Sequence, residues 1–206
     1  MTKEKGLLNV ARSKAAHGRF GSVAQAGAAI VAAVVAIGSA TVLPAGEAAA
    51  QGAGQGVARG PSGLPLPRFV SLKSGRVNAR VGPGLNYAVE WLYLKPGLPM
   101  EIVQEFDTWR RVRDSDGAEG WVNQSLLSGK RTGIVAPWLR GKASSDLHLF
   151  KEPRQDSPVV AALEPGVIGT IGACNGVWCE MTFDGHTGWL EQPMLWGAYP
   201  GETIKD

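Results

Sequence analysis

Two related stretches decide the fold: Asp116-Gly-Ala-Glu-Gly-Trp-Val122 and Asp184-Gly-His-Thr-Gly-Trp-Leu190. In each, Asp-Gly supplies the positive φ that a tight hairpin turn needs, and the later Gly lets the backbone bend closely. Trp121 and Trp189 are expected to lie in the core, because one indole can dominate a core of this size. The two stretches therefore predict two small β domains of related build.

Other markers repeat in the same order. Lys95-Pro-Gly97 matches Glu164-Pro-Gly166, and Trp109 matches Trp178. These markers recur after 69 residues, and the Gly-Trp pair recurs after 68. A constant spacing of this kind is typical of a duplicated unit. The sequence thus predicts two copies, at residues 68–129 and 143–197.

The chain around these markers has the pattern of short strands. Val77, Ala79 and Val81 alternate with polar residues, and further strands are expected at residues 100–106 and around Trp109. Gly, Pro and Asp-Gly turn signals separate the runs, and no long helical period follows residue 51. We expect an all-β protein with two tandem small barrels of antiparallel strands.

The motifs of the first copy resemble those of the bacterial SH3-like (SH3b) family. Val77-Asn-Ala-Arg-Val-Gly-Pro-Gly84 is followed by Lys95-Pro-Gly97, the Trp109 strand and the closing Asp-Gly…Gly-Trp-Val motif, so the match covers nearly all of residues 70–128. The resemblance implies two strongly bent SH3-like barrels. It also implies a non-catalytic module of the kind found on envelope proteins and cell-wall hydrolases.

The second copy departs from the family pattern at its first strand. Leu147-His-Leu-Phe150, followed by Lys-Glu-Pro153, replaces the Asn-x-Arg-x-Gly-Pro box of the first copy. The pattern returns from Pro165 onward. Ligand contacts that the resemblance implies for this box are therefore expected in the first copy.

The first fifty residues have the composition of a secretory signal. Five basic residues precede position 20, an apolar run spans residues 27–43, and small residues end in Ala48-Ala-Ala50. This order predicts export by a Sec-type route with cleavage after Ala50, and a periplasmic protein that meets the membrane only in transit. The alternative is an uncleaved N-terminal membrane anchor, since the run is near the minimum length for a spanning helix. Residues 51–67, rich in Gly and Pro, are expected to form a flexible linker.

The charge distribution argues against a nucleic-acid partner. The whole chain has a formal net charge of +3, but residues 1–50 hold five Lys/Arg and only two Asp/Glu. The remaining residues hold 16 basic and 16 acidic side chains and are therefore balanced. A protein that follows a phosphate backbone needs a surplus of Lys and Arg.

Cys174 and Cys179 flank an Asn-Gly dipeptide, which is a strong hairpin signal. If the flanking strands pair, the two thiols face each other within bridging range. If the protein is exported, the oxidising compartment favours a disulfide between them. A redox pair would be Cys-x-x-Cys, and a metal site would need more than one dithiol with His186. We expect a structural disulfide, no metal and no cofactor.

The sequence shows no catalytic constellation. His148 and His186 lie in no nucleophile motif, and the acidic pairs are best explained as turn residues. Gly82-Pro83-Gly84 lacks the Lys-Ser/Thr tail of a phosphate loop. The chain is expected not to be an enzyme, and a wall hydrolase with an unrecognised catalytic part is the least favoured reading.

Binding is the stronger function class. The candidate contacts lie in the first copy and are Asn78, Arg80, Tyr87, Trp91 and Tyr93. Small barrels bind extended peptides or glycans on aromatic-lined grooves, so peptidoglycan or a short peptide of an envelope protein is the expected ligand.

The alternative is a structural scaffold of the envelope in which the two barrels pack as one unit. Trp138 and Trp196 lie outside the repeat markers and are candidates for covering the contact between the barrels. Aromatic side chains that line an open groove favour ligand binding. Aromatic side chains buried between the barrels favour the scaffold.

Overall fold

The computed structural model describes residues 3–5, 58–142 and 147–205 of the chain. Within these ranges it has sixteen strands and three 3₁₀ helices, so the expected all-β class is confirmed. The expected signal sequence and its cleavage site lie outside the described residues, apart from Lys3–Lys5. Among the described residues, no helix has the length and apolar character needed to cross a bilayer.

The first sheet has eight strands: β1 (Lys3–Lys5), β2 (Arg68–Leu72), β3 (Val77–Arg80), β4 (Val89–Tyr93), β5 (Pro99–Phe106), β6 (Trp109–Arg113), β7 (Glu119–Asn123) and β8 (Leu127–Ser128). Their spatial order is β1-β4-β3-β7-β6-β5-β2-β8. The pairs are antiparallel except that β1 runs parallel to β4. A 3₁₀ helix, Gln124–Leu126, connects β7 to β8.

The second sheet is formed by β9 (Thr132–Val135), β10 (His148–Phe150), β11 (Val159–Ala162), β12 (Ile168–Asn175), β13 (Trp178–Phe183), β14 (His186–Glu191) and β15 (Leu195–Trp196). Their order is β11-β10-β14-β13-β12-β9-β15, and a last strand, β16 (Thr203–Ile204), pairs with β12. The other 3₁₀ helices are Pro137–Leu139 and Gln192–Met194.

The two sheets share one topology. The spatial order β4-β3-β7-β6-β5-β2-β8 of the first sheet matches the order β11-β10-β14-β13-β12-β9-β15 of the second sheet. Each strand of the first sheet corresponds to the strand of the second sheet whose number is higher by seven. The strand β9 therefore corresponds to β2, although it precedes residue 143, where the sequence places the start of the second copy. All four residues of β9 are buried, so no polar alternation marks this strand in the sequence. We propose that the second barrel begins at Thr132.

The corresponding strands β2 and β9 are buried on both faces because the two barrels pack against each other there. Ile134 of β9 belongs to the hydrophobic core of the first barrel and is 1% exposed. Phe69 of β2 lies edge-on to Trp196, with ring centroids 5.0 Å apart, and 4.8 Å from the ring of Tyr199. Trp196 thus covers the contact between the barrels as expected, whereas Trp138 is 49% exposed and the same expectation is wrong for it.

Polar contacts surround this aromatic cluster. The hydroxyl of Tyr199 donates to Glu101 Oε1 at 2.9 Å, and Arg113 donates to Glu101 Oε2 at 2.6 Å. Burial and this hydrogen bond raise the pKa of Tyr199, so its hydroxyl stays a donor. Arg140 donates to Ser115 Oγ at 2.9 Å, which ties the segment after β9 to the β6–β7 turn.

The Asp-Gly…Gly-Trp motif has the expected backbone but a different core residue. Gly117 has φ +81°, as the hairpin requires, and a Cβ at Gly120 would lie 2.8 Å from the Cβ of Ala79. Gly120 therefore lets β7 cross close to β3. Val122 is the fully buried residue, and Trp121 lies half-buried on the opposite face of the strand.

Trp189 of the second motif is likewise half-buried, with Leu190 in the core. The expectation that Trp121 and Trp189 are core residues is wrong. Side chains alternate along a strand, and in each motif the glycine before the tryptophan and the aliphatic residue after it point to the inner face.

The expected disulfide is confirmed. Cys174 and Cys179 are directly opposed on β12 and β13, with their Cα atoms 4.1 Å apart and the sulfurs bonded. Cys174 also pairs with Ile204 of β16. The bond therefore closes the end of the hairpin on which β16 rests.

Residues 58–67, expected to belong to a flexible linker, are held against the first barrel. Glu105 accepts the backbone N–H of Ser62 at 2.9 Å and its hydroxyl at 2.8 Å, and it pairs with Arg68 at 2.6 Å and Arg110 at 3.2 Å. Burial alone would raise the pKa of Glu105, but the Ser62 and Arg68 donors outweigh it and hold the pKa at about 2, below the usual 4.5.

We expect this carboxylate to make the first barrel sensitive to acid. A pKa lowered in the folded state contributes stability above pH 4.5 that is lost as the pH falls toward 2. The free energy of unfolding should fall by on the order of 1–3 kcal/mol across this window. Urea unfolding at a series of pH values measures it. Glu105→Gln should flatten the dependence, and Glu152→Gln, in an exposed pair with Arg154, should not. An unchanged slope in Glu105→Gln would contradict the assignment.

Removal of the disulfide should destabilise the second barrel modestly. Because the bridge closes a loop of only a few residues, Cys174→Ser/Cys179→Ser should cost about 2 kcal/mol or less. Urea unfolding with and without reductant measures this, and reductant should have no effect on the double variant. Two free thiols in the protein purified without reductant, found by mass measurement after alkylation, would rule out the bridge.

Candidate functional site

The predicted binding residues of β3 lie on the outer face of the first barrel. Val77 and Ala79 are buried in the core, whereas Asn78 is exposed and Arg80 is half-buried. The Arg80 guanidinium donates to the backbone carbonyl of Tyr87 at 2.6 Å. This hydrogen bond holds the guanidinium beside the loop that joins β3 to β4.

Tyr87 is seated on the glycines of this loop and is 43% exposed. A Cβ at Gly82 would lie 2.4 Å from Cδ1 of the Tyr87 ring, and one at Gly84 would lie 3.3 Å from its Cδ2. The Gly82-Pro83-Gly84 segment therefore makes room for an aromatic ring. Tyr87 presents the rest of that ring to solvent next to Arg80.

The two candidates on β4 differ from those on β3. Trp91 is half-buried and packs against the core of the first barrel. Tyr93 is 1% exposed, and its hydroxyl donates to Asp114 Oδ2 at 3.1 Å. Burial, then the Asp114 carboxylate, raises the pKa of Tyr93. The prediction of a ligand contact at Tyr93 is wrong, because the ring is part of the core and its hydroxyl already has a partner.

Trp121 is the residue that sequence reasoning missed. In the register of the sheet, Trp121 of β7 stands opposite Arg80 of β3 on one side and Arg111 of β6 on the other. Directly opposed residues share a face of the sheet. We call this set, Arg80, Trp121 and Arg111, the Trp121 row. The signal was present in the sequence, because Gly120 and Val122 alternate with Trp121 and leave it on the outer face.

The charge on the Trp121 row is only partly compensated. Arg111 pairs with Glu119 at 2.7 Å, and both side chains are well exposed, with fractions of 45% and 30%. An exposed pair of this kind contributes little to stability, so giving it up on ligand binding costs little. In this register a tryptophan lies between two arginines: an indole can stack on a flat or apolar ligand surface, and guanidinium groups can bind carboxylates in a bidentate manner.

The second barrel carries a different row at the same place. Trp189 of β14 stands opposite Phe150 of β10 and Glu180 of β13. Phe150 also packs edge-on against Trp178, with ring centroids 5.7 Å apart. An aromatic ring and an acid thus replace the two arginines, so the two copies have the same fold but offer different chemistry on this face.

The histidines lie apart from this surface. His148 of β10 is half-buried and has its ring 6.0 Å from that of Phe150, on the wall of a cavity of about 300 Å³ in the second barrel. His186 is exposed at the start of β14. The geometry therefore brings Asn78, Arg80, Tyr87 and Trp121 to one side of the first barrel and leaves both histidines in the second.

Two sheets share one antiparallel strand order, from β4 to β8 and from β11 to β15, and each contains a Gly-Trp motif; together they define a tandem of small SH3-like barrels. The bacterial SH3 domain family matches residues 73–129 and 143–197. Because these matches cover more than half of the chain, the chain belongs to the bacterial SH3 domain family.

Comparison with curated proteins gave no match. Two similar solved structures are NlpC2 and NlpC1 from Trichomonas vaginalis, each 14% identical to this chain, with TM-scores of 0.28 and 0.27. The alignments cover 63% and 66% of this chain and 48% of each of those proteins. The chain thus spans about half the length of these two structures.

Proposed function

We propose that this protein is an exported, non-catalytic binding module of the cell envelope that recognises peptidoglycan through the Trp121 row. Membership of the bacterial SH3 domain family supports a binding role at the cell wall. The proposal rests on one observation: strand register places Arg80, Trp121 and Arg111 side by side on the outer face of the first barrel.

The chemistry of the row fits a cell-wall polymer. Peptidoglycan combines sugar rings, whose apolar faces stack on indoles, with short peptides that bear carboxylates. Trp121 supplies the stacking surface, and Arg80 and Arg111 supply the cations. All three belong to paired strands, so the backbone at these positions is already ordered and little backbone entropy is lost when a ligand is bound.

The disulfide supports the export part of the proposal. Disulfides persist in oxidising compartments such as the periplasm and are rare in the cytosol. The Cys174–Cys179 bridge is formed between opposed strand residues, and the basic and apolar composition of residues 1–50 is that of a secretory signal. A periplasmic location follows as part of the same proposal.

Retention on purified peptidoglycan tests the Trp121 row. Trp121→Ala should weaken binding about tenfold, because loss of a central aromatic contact costs more than about 1 kcal/mol. Trp189→Ala is the matched control, since it removes the equivalent half-buried indole of the other barrel. Sedimentation of the chain with insoluble peptidoglycan measures both. Equal retention of Trp121→Ala and the unsubstituted protein would contradict the proposal, and no retention of either would remove peptidoglycan as the ligand.

A second candidate function is an envelope scaffold that acts as one rigid unit. The packing of Phe69 against Trp196 and Tyr199 favours it, because aromatic side chains buried between barrels stabilise a fixed arrangement. Contacts within the chain also group both barrels in a single unit.

Unfolding cooperativity tests the rigid unit. The unsubstituted chain should unfold in one urea transition, followed by tryptophan fluorescence and by circular dichroism. Phe69→Ala should lose about 3 kcal/mol or more and separate the transition into two, since it removes the ring on which the second barrel rests. Phe69→Leu, which retains most of the apolar volume, should lose less. Two independent transitions in the unsubstituted chain would contradict a rigid scaffold.

A further inference from the structure

A polar cleft of about 490 Å³ lies where the two barrels meet. Its first-barrel side includes Lys73 and Lys130, which follow the paired ends of β2 and β8. Its second-barrel side includes Asp184, in the turn between β13 and β14. We call this space the interbarrel cleft. Its volume is in the range of small-molecule and short-peptide sites.

A row of three threonines forms one wall of the interbarrel cleft. Thr170 of β12 stands opposite Thr132 of β9 and Thr182 of β13, so the three side chains share a face of the sheet. Thr132 is 6% exposed, and its hydroxyl has no hydrogen-bond partner among the described residues. The Thr132 oxygen is too buried for an occupant of the cleft to reach, so the hydroxyls that this wall offers to a ligand are those of the more exposed Thr170 and Thr182.

The charges divide between the two sides of the cleft. Lys73 comes from the first barrel, Lys130 from the short segment between β8 and β9, and Asp184 from the second barrel. A ligand with a carboxylate at one end and an ammonium at the other would match this division. No aromatic residue is among the described residues that line the cleft, so the stacking surface that sugars require is missing there.

We propose that the interbarrel cleft binds a short zwitterionic peptide. Its carboxylate faces Lys73 and Lys130, its ammonium faces Asp184, and its peptide groups hydrogen-bond to the hydroxyls of Thr170 and Thr182. This inference rests on the proposed function and deepens it. It assigns a short peptide of peptidoglycan to the interbarrel cleft and the surface of the polymer to the Trp121 row. Neither barrel alone contains both sets of charges.

Binding of tri-alanine to the full chain tests the charge pattern. Titration followed by amide chemical shifts should move the resonances of Thr132, Thr170 and Thr182. Tri-alanine amide and N-acetyl-tri-alanine, which each lack one terminal charge, should bind roughly threefold to tenfold more weakly. Equal binding of all three peptides, or shifts confined to residues outside the cleft, would overturn the proposal.

Charge variants of the cleft provide the second arm. Lys73→Glu/Lys130→Glu should weaken tri-alanine about tenfold, whereas Lys151→Glu, an exposed lysine outside the cleft, should not. Asp184→Asn should weaken it roughly threefold. Asp107→Asn is the matched control, because Asp107 has the same left-handed backbone as Asp184: φ is 47° at Asp107 and 45° at Asp184. Equal effects of the cleft and control variants would overturn the site.

The failure of this proposal is distinguishable from failure of the proposed function. Retention on peptidoglycan that depends on Trp121, with no binding of tri-alanine in the cleft, would overturn the cleft proposal and leave the Trp121 row standing. The opposite outcome is that tri-alanine binding depends on the lysines and that Trp121→Ala is retained on peptidoglycan as strongly as the unsubstituted protein. This outcome would support the cleft proposal and contradict the role of the Trp121 row.

Discussion

The structure depends on the burial of two equivalent strands, β2 and β9, on both of their faces. Each strand completes its own sheet with its backbone and packs against the other barrel with its side chains. Phe69 lies against Trp196 and Tyr199, and Ile134 enters the core of the first barrel. A barrel of about sixty residues buries little surface by itself, so the apolar surface that each copy buries against the other adds to the stability of both.

Two candidate surfaces follow from this arrangement, and they depend on it differently. The Trp121 row lies within one barrel and is positioned by pairing of β3, β7 and β6. The interbarrel cleft exists only where the barrels meet, so a shift of one barrel would separate Lys73 from Asp184. Divergence between the copies added a further asymmetry, because Phe150 and Glu180 occupy the places that correspond to Arg80 and Arg111.

The sequence was sufficient for the duplication, the all-β class, the disulfide and the outward placement of Asn78 and Arg80, because turn glycines and strand alternation are local signals. It failed where long-range packing decides. The buried tetrapeptide Thr132–Val135 shows no alternation, and Tyr93 resembles a surface aromatic until Asp114 is placed beside its hydroxyl. The alternation of Gly120 and Val122 already places Trp121 on the outer face, but the close approach of Ala79 that requires a glycine at position 120 is visible only in the fold.

Both ends of the described fold are tied down. Glu105 holds Ser62 through two hydrogen bonds, and β16 pairs with β12 beside the disulfide at Cys174. Proteases act first on segments that leave the fold at low cost, and these are usually the frayed ends of a domain. Digestion from either side of the described fold would therefore meet a backbone that is already hydrogen-bonded, so the first cleavage there requires the loss of several hydrogen bonds at once.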